Sequence, residues 1–133
     1  MRPNSELDTE MTNHQVDGIA DLSALRDELR RFSTERDWDQ FHTPKNLAIA
    51  LSVEASELLE HFQWLTAEQS QTLDPETLGR VREEMADVLL YLVRLADRLD
   101  VDLLAAARDK IELNAKKYPA DKARGSSRKY IDL

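Results

Sequence analysis

Four stretches of the chain repeat apolar residues at the spacing that gathers side chains on one face of an α-helix. Leu22, Leu25, Leu29 and Phe32 lie at i, i+3, i+7 and i+10, which predicts a helix over about 20–35 with Asp21 as a candidate N-cap. The segment RDWDQFHTPKN (36–46) breaks the pattern. Its Thr43-Pro44 pair then reads as a cap followed by proline at the first helical position, where the missing N–H costs nothing. A second helix is expected over about 44–65, with Leu47, Leu51, Leu58 and Phe62 inward. After a polar connection, Asp74-Pro75-Glu76 signals a third helix over about 75–99, turning Val81, Met85, Val88, Leu92, Leu95 and Leu99 inward. A fourth, about 102–117, carries Leu103, Leu104, Ala107 and Ile111 inward and stops before Pro119. With three glycines in the whole chain and no alternating β-branched run, strands have no support. The pattern predicts an all-α four-helix bundle.

At 133 residues the chain has the length of one ordinary domain. Residues 1–18 lack apolar periodicity and are expected to form a disordered tail; 19–120 form the helical domain; 121–133, containing ARGSSRKYIDL, form a basic, irregular tail. Charge narrows the function. Against 18 basic side chains stand 26 acidic ones, a formal net charge of -8. Nucleic acid and anionic membrane surfaces select for basic patches, so neither is the expected partner. A small phosphorylated substrate stays open if a metal ion supplies positive charge. The absence of cysteine excludes disulfides and thiolate metal sites. No stretch approaches the length of a membrane span, and the polar N-terminus lacks a signal-peptide core. The expected location is the cytoplasm.

Acids on the apolar stripes change the picture most. Glu54 and Glu57 lie three residues apart on or beside the buried face of the second helix, and Glu84 and Asp87 repeat that spacing on the third. Packed antiparallel, the two helices would bring four carboxylates together. Such a cluster repels itself and is poorly solvated unless a cation sits within it. Carboxylate oxygens select the hard ions Mg²⁺, Mn²⁺ or Ca²⁺. The competing reading leaves these acids on solvated faces, as it does Glu60, Glu68, Glu76 and Glu83.

Other residues carry candidate chemistry more weakly. Lys110, Asn114 and Lys117 share one face of the fourth helix, either as a grip for phosphate oxygens or as basic residues complementing a helix C-terminus. Tyr91, one turn past Asp87, reaches either toward a substrate at the metal or into the core. Trp38, Phe41 and His42 cluster in a loop, where aromatics cap a core or stack on a flat ligand. Trp64 invites the same two readings.

In combination these motifs resemble a known family. RDWDQFHTPKNLAIALSVEASELLEHFQW, EEMADVLLYLVRLADRLDVDL and KIELNAKKYPADKARGSSRKY are similar to the dCTP pyrophosphatase branch of the MazG-like all-α nucleoside triphosphate pyrophosphohydrolases. The resemblance implies that Glu54, Glu57, Glu84 and Asp87 are Mg²⁺ ligands, with Mn²⁺ as a possible substitute. It also implies that Lys110, Asn114 and Lys117 contact the triphosphate and that Trp38 and Trp64 serve the base pocket, to which the loop's His42 is added as a candidate from its place beside Trp38. The implied reaction is hydrolysis between the α- and β-phosphates, with dCTP or a modified dCTP as substrate; on chemical grounds a carboxylate not fully occupied as a ligand, Glu54 or Glu57, is the candidate general base. Members assemble as dimers or tetramers with sites near subunit contacts. One departure is Leu29, where some members carry a histidine in the first helix.

Three other readings compete. The first is a family member with different or broad nucleotide specificity. A ferritin-like di-iron bundle requires two E-x-x-H pairs, and none of His14, His42 and His61 completes one. A non-catalytic helical interaction module would leave the acids solvated and show no Mg²⁺-dependent activity.

Overall fold

The computed structural model describes residues 16–132. Of the expected N-terminal tail, residues 1–15 lie outside the described residues, as does Leu133. All regular structure in the described residues is helical, with no strand among them. The chain divides into two compact units, one ending at Leu99 and one beginning at Asp100.

In the first unit, α1 (Leu22–Glu35) starts where the Asp21 carboxylate accepts the Ala24 N–H at 2.7 Å. α2 (Pro44–Glu60) starts where Thr43 Oγ1 accepts the Asn46 N–H at 3.2 Å. A one-turn helix, α3 (Ala67–Ser70), is fixed by a reciprocal capping box between Thr66 and Gln69. α4 (Pro75–Arg98) is the longest helix, and Asp74 caps it through the Thr77 N–H at 2.9 Å. Each start uses a short polar acceptor to satisfy an N–H that has no partner inside the helix. α2 packs chiefly on α4, and α1 packs on α4 as well.

The second helix is shorter than its apolar pattern predicts. It stops at Glu60 because the backbone tightens into three-residue bonds, with Phe62 N–H to Leu59 O and Leu65 N–H to Phe62 O both at 2.9 Å. Residues 61–65 are therefore turn. The buried face of α4 also differs from the expected stripe. Val81, Val93 and Ala96 are buried with Leu47 of α2, whereas Met85, Leu92 and Leu99 are exposed, as is Phe32 of α1. α4 is apolar on more than one side, and α1 and α2 cover only part of that circumference.

In the second unit, Asp102 caps α5 (Leu103–Lys117) through the Ala105 N–H at 3.0 Å. A short helix, α6 (Ala120–Ala123), and a 3₁₀ turn (Tyr130–Asp132) follow. The basic C-terminal stretch is thus not wholly irregular. Tyr130 meets Tyr118 edge-on at 6.0 Å, and the Lys117 ammonium lies 5.0 Å from the Tyr130 ring centre. No residue of α5 is buried, and Leu104 and Ile111, expected inward, are exposed. No described helix is long and apolar enough to cross a membrane.

Candidate functional site

The covered stripe of α2 runs through Leu47, Leu51, Glu54, Glu57 and Leu58, and Phe62 follows in the turn after it. Two acids therefore occupy places where helical packing normally puts hydrocarbon. α4 answers with half-buried Glu84, Asp87 and Tyr91. One carboxylate oxygen each from Glu54, Glu84 and Asp87 lies within 4.8 Å of the others. Glu57, one turn on from Glu54 along α2, adds its charge beside that carboxyl but is not among the three converging residues. Glu60, Glu68, Glu76 and Glu83 are exposed.

Electrostatics make this cluster costly as it stands. Burial, then hydrogen bonding and charge repulsion from Glu57, and then the charge of Asp87 push the Glu54 carboxyl up to about 7. The Oε2 atoms of Glu54 and Glu84 are buried with no hydrogen-bond partner. A buried carboxylate oxygen without a donor is heavily penalised, and a bound divalent cation would offset both that penalty and the repulsion. Hard oxygen donors from two helices fit Mg²⁺ or Mn²⁺. His61 Nε2, in the turn after α2, lies 3.8 Å from Glu84 Oε1. The sequence pattern gave no hint of that approach, because it arises from the early end of α2.

The aromatic loop is set by the end of α1. Asp37 adopts φ 53°, and the N–H groups of Asp37 and Trp38 return to the carbonyls of Thr34 at 3.1 Å and Ser33 at 2.9 Å. That paired closure is a Schellman motif with aspartate in the left-handed position. It delivers the Trp38 ring edge-on to Phe32 at 5.7 Å and to His42 at 6.2 Å. Asn46 Nδ2 donates to the Phe41 carbonyl at 3.0 Å, tying the far side of the loop to α2. Trp64 stands in the turn after α2 and is 86% exposed.

Lys110, Asn114 and Lys117 all lie on α5 in the second unit. Lys110 and Asn114 are exposed, while Lys117 is half-buried beside Tyr130. The Asn114 carbonyl accepts the Tyr118 N–H at 2.8 Å and closes the helix.

One group of residues escapes sequence reasoning. Arg94 is 5% exposed on α4 and bonds Asp39, Asp97 and His42. The only advance signal is a single charge inside the apolar run VLLYLVRLA.

Comparison with known proteins gives a consistent result. Residues 49–133 match the model of the MazG-like family. Over 104 residues, 77% of this chain, the sequence is 49% identical to dCTP pyrophosphatase 1 of Homo sapiens and 47% identical to that of Mus musculus. The chain spans 61% of the length of each of these relatives. Among solved structures, a pyrophosphatase from Archaeoglobus fulgidus DSM 4304 matches with a TM-score of 0.66 at 43% identity, over 74% of this chain and 92% of that one.

Proposed function

The chain belongs to the MazG-like family, and from that premise we propose that it is a divalent-metal-dependent nucleoside triphosphate pyrophosphohydrolase. It cleaves the α–β phosphate bond, with dCTP or a modified dCTP as substrate and a nucleoside monophosphate and pyrophosphate as products. The observation that carries this reading is the convergence of Glu54, Glu84 and Asp87, two of which also bury an oxygen that lacks a hydrogen-bond partner. The names of the similar proteins support the substrate class.

Glu54, Glu84 and Asp87 would hold Mg²⁺ with Glu57 at its margin, and the ion supplies positive charge against phosphate oxygens and acidifies water. Glu57, adjacent but outside the converging three, is the carboxylate left to accept the proton of the attacking water. Lys110, Asn114 and Lys117 supply ammonium and amide donors suited to triphosphate oxygens. Trp38 and Trp64 offer ring faces for a base; stacking contributes about 1–3 kcal/mol but tolerates every base. Choice among bases then falls to hydrogen bonds, where an unpaired polar group is penalised. Tyr91, on the same helix as Glu84 and Asp87, adds a hydroxyl on the substrate side.

The chain acts as a symmetric dimer or tetramer. Met85, Leu89 and Leu92 form an exposed apolar stripe along α4, a surface that soluble monomers seldom leave uncovered. The functional reading is tested by pyrophosphate release from a panel of nucleotides with and without Mg²⁺. Metal-dependent release that is fastest with a dCTP-type substrate is expected, and no release from any nucleotide would sink the reading.

A further inference from the structure

Arg94 is buried on α4, its side chain and that of Asp97 almost wholly out of water. A guanidinium out of water is tolerated only when its donors are engaged. Its two terminal nitrogens donate to Asp39 Oδ1 at 2.5 Å and to Asp97 Oδ2 at 3.2 Å. Asp97 is held in turn by Arg30 at 2.8 and 2.5 Å, which keeps its carboxyl well below the usual range. The network borders a polar cavity of about 320 Å³ lined by Arg30, Thr34, Asp39, Arg94, Asp97 and Arg98, roomy enough for water to meet the remaining donors. Asp39 itself accepts the Thr34 hydroxyl at 3.1 Å. The guanidinium thereby ties the loop after α1 to α4.

Its third donor does something more specific. Arg94 Nε–H points at His42 Nδ1 at 3.2 Å. A guanidinium stays protonated and has no acceptor, so Nδ1 must present its lone pair and the ring proton must sit on Nε2. The Ser33 hydroxyl, 3.4 Å from the same Nδ1, fits the same assignment. The surrounding charges agree on balance. Burial first, then the positive charges of Arg94 and Arg98, lower the His42 pKa, while Asp39 alone pulls the other way.

We propose that Arg94 is a positioning residue that locks His42 as the neutral Nε2–H tautomer, so that the aromatic loop presents a nucleobase with one donor of fixed identity. A fixed N–H donor favours a base edge that offers an unprotonated ring nitrogen or a carbonyl over an edge that offers another N–H. The clause about the base rests on the nucleotide reading above; the tautomer does not.

The two parts separate experimentally. Long-range ¹H–¹⁵N spectra of the full chain at neutral pH, with His42 assigned by loss of its signals in His42→Gln, are expected to show protonated Nε2 and bare Nδ1. A protonated Nδ1, or an imidazolium at pH 7, overturns the proposal without any reference to activity. Arg94→Lys keeps the charge but cannot bridge three partners. In that folded variant His42 is expected to lose its single tautomer, and the KM for the nucleotide to rise about tenfold with kcat less affected, as for one lost hydrogen bond. Retention of the tautomer in Arg94→Lys also overturns the proposal. If the wild-type tautomer stands while His42→Gln leaves KM unchanged, the lock survives and the base-side role of the loop fails.

Discussion

Glu54 occupies a position where the repeat of its helix calls for a leucine, and its chemistry follows from that misplacement. Its carboxyl is raised to about 7 from an ordinary value of 4.5. A raised folded-state value means that the folded protein binds the proton more tightly than the unfolded chain does. The associated stabilisation is therefore complete below about pH 4.5 and is lost as pH rises toward 7. His42, lowered from 6.5, acts oppositely, since its contribution is present above 6.5 and falls as the medium becomes more acid. The difference between wild type and Glu54→Gln isolates the first effect. Metal-free wild type should lose stability relative to Glu54→Gln between pH 5 and 8, measured by chemical denaturation; parallel curves would contradict the burial and repulsion assigned to Glu54. Mg²⁺ should also raise Tm more at pH 8 than at pH 6, because the proton must leave before the ion binds. The two other roles separate by substitution. Asp87→Asn should raise the Mg²⁺ concentration for half-maximal activity by at least about 10-fold. Glu57→Gln should lower kcat by about 10²–10⁴-fold with Mg²⁺ affinity nearly kept. Reversal of these two patterns would exchange ligand and base. The acid pairs were legible because each broke an apolar stripe at a one-turn interval. Arg94 was not, because one arginine in an apolar run reads the same whether it reaches water or a partner distant in sequence.

At the level of helices, start signals transferred well from sequence to structure. Asp21, Thr43 and Asp74 each cap the helix they signalled, since a cap is a local contact between residues three apart; Asp102, expected as the first residue of its helix, caps it instead. Thr43 has a second consequence, for it adjoins His42 at the end of the aromatic loop. Thr43→Ala should destabilise the fold by about 1 kcal/mol, seen as a lower urea midpoint at unchanged slope, and should weaken nucleotide binding through KM before kcat. A variant as stable as wild type would mean that the Asn46 N–H finds another acceptor. Helix ends were less legible. Residues 61–65 keep an apolar period but turn away, and nothing in periodicity distinguishes a four-residue from a three-residue hydrogen bond. The face that α4 buries departs from its apolar stripe for a related reason. Its period fits several faces, and the packing of α1 and α2 on α4, held in part by the Arg30–Asp97 pair at 2.5 Å, goes with burial of Val93 and Ala96 rather than Leu92 and Leu99.

Among the described residues few side chains are fully buried, and Met85, Leu89 and Leu92 leave an apolar stripe exposed on α4. Leu89→Glu should shift sedimentation toward smaller species and lower activity together, since sites near a subunit contact lose their support; an active wild-type monomer at micromolar concentration would contradict the assembly. All-α architecture and the metal-ligand candidates were readable from one sequence. Which faces meet was not, because it depends on contacts between residues far apart in the chain. The acid cluster acquires its purpose only if it serves hydrolysis at one particular bond. The most direct test is dCTP turnover with Mg²⁺ in ¹⁸O-labelled water, with products resolved by mass. The account predicts dCMP and pyrophosphate as the sole primary products, the label in one of them, and no turnover once the metal is chelated. Orthophosphate as the primary product, or turnover undiminished by chelation, would contradict it.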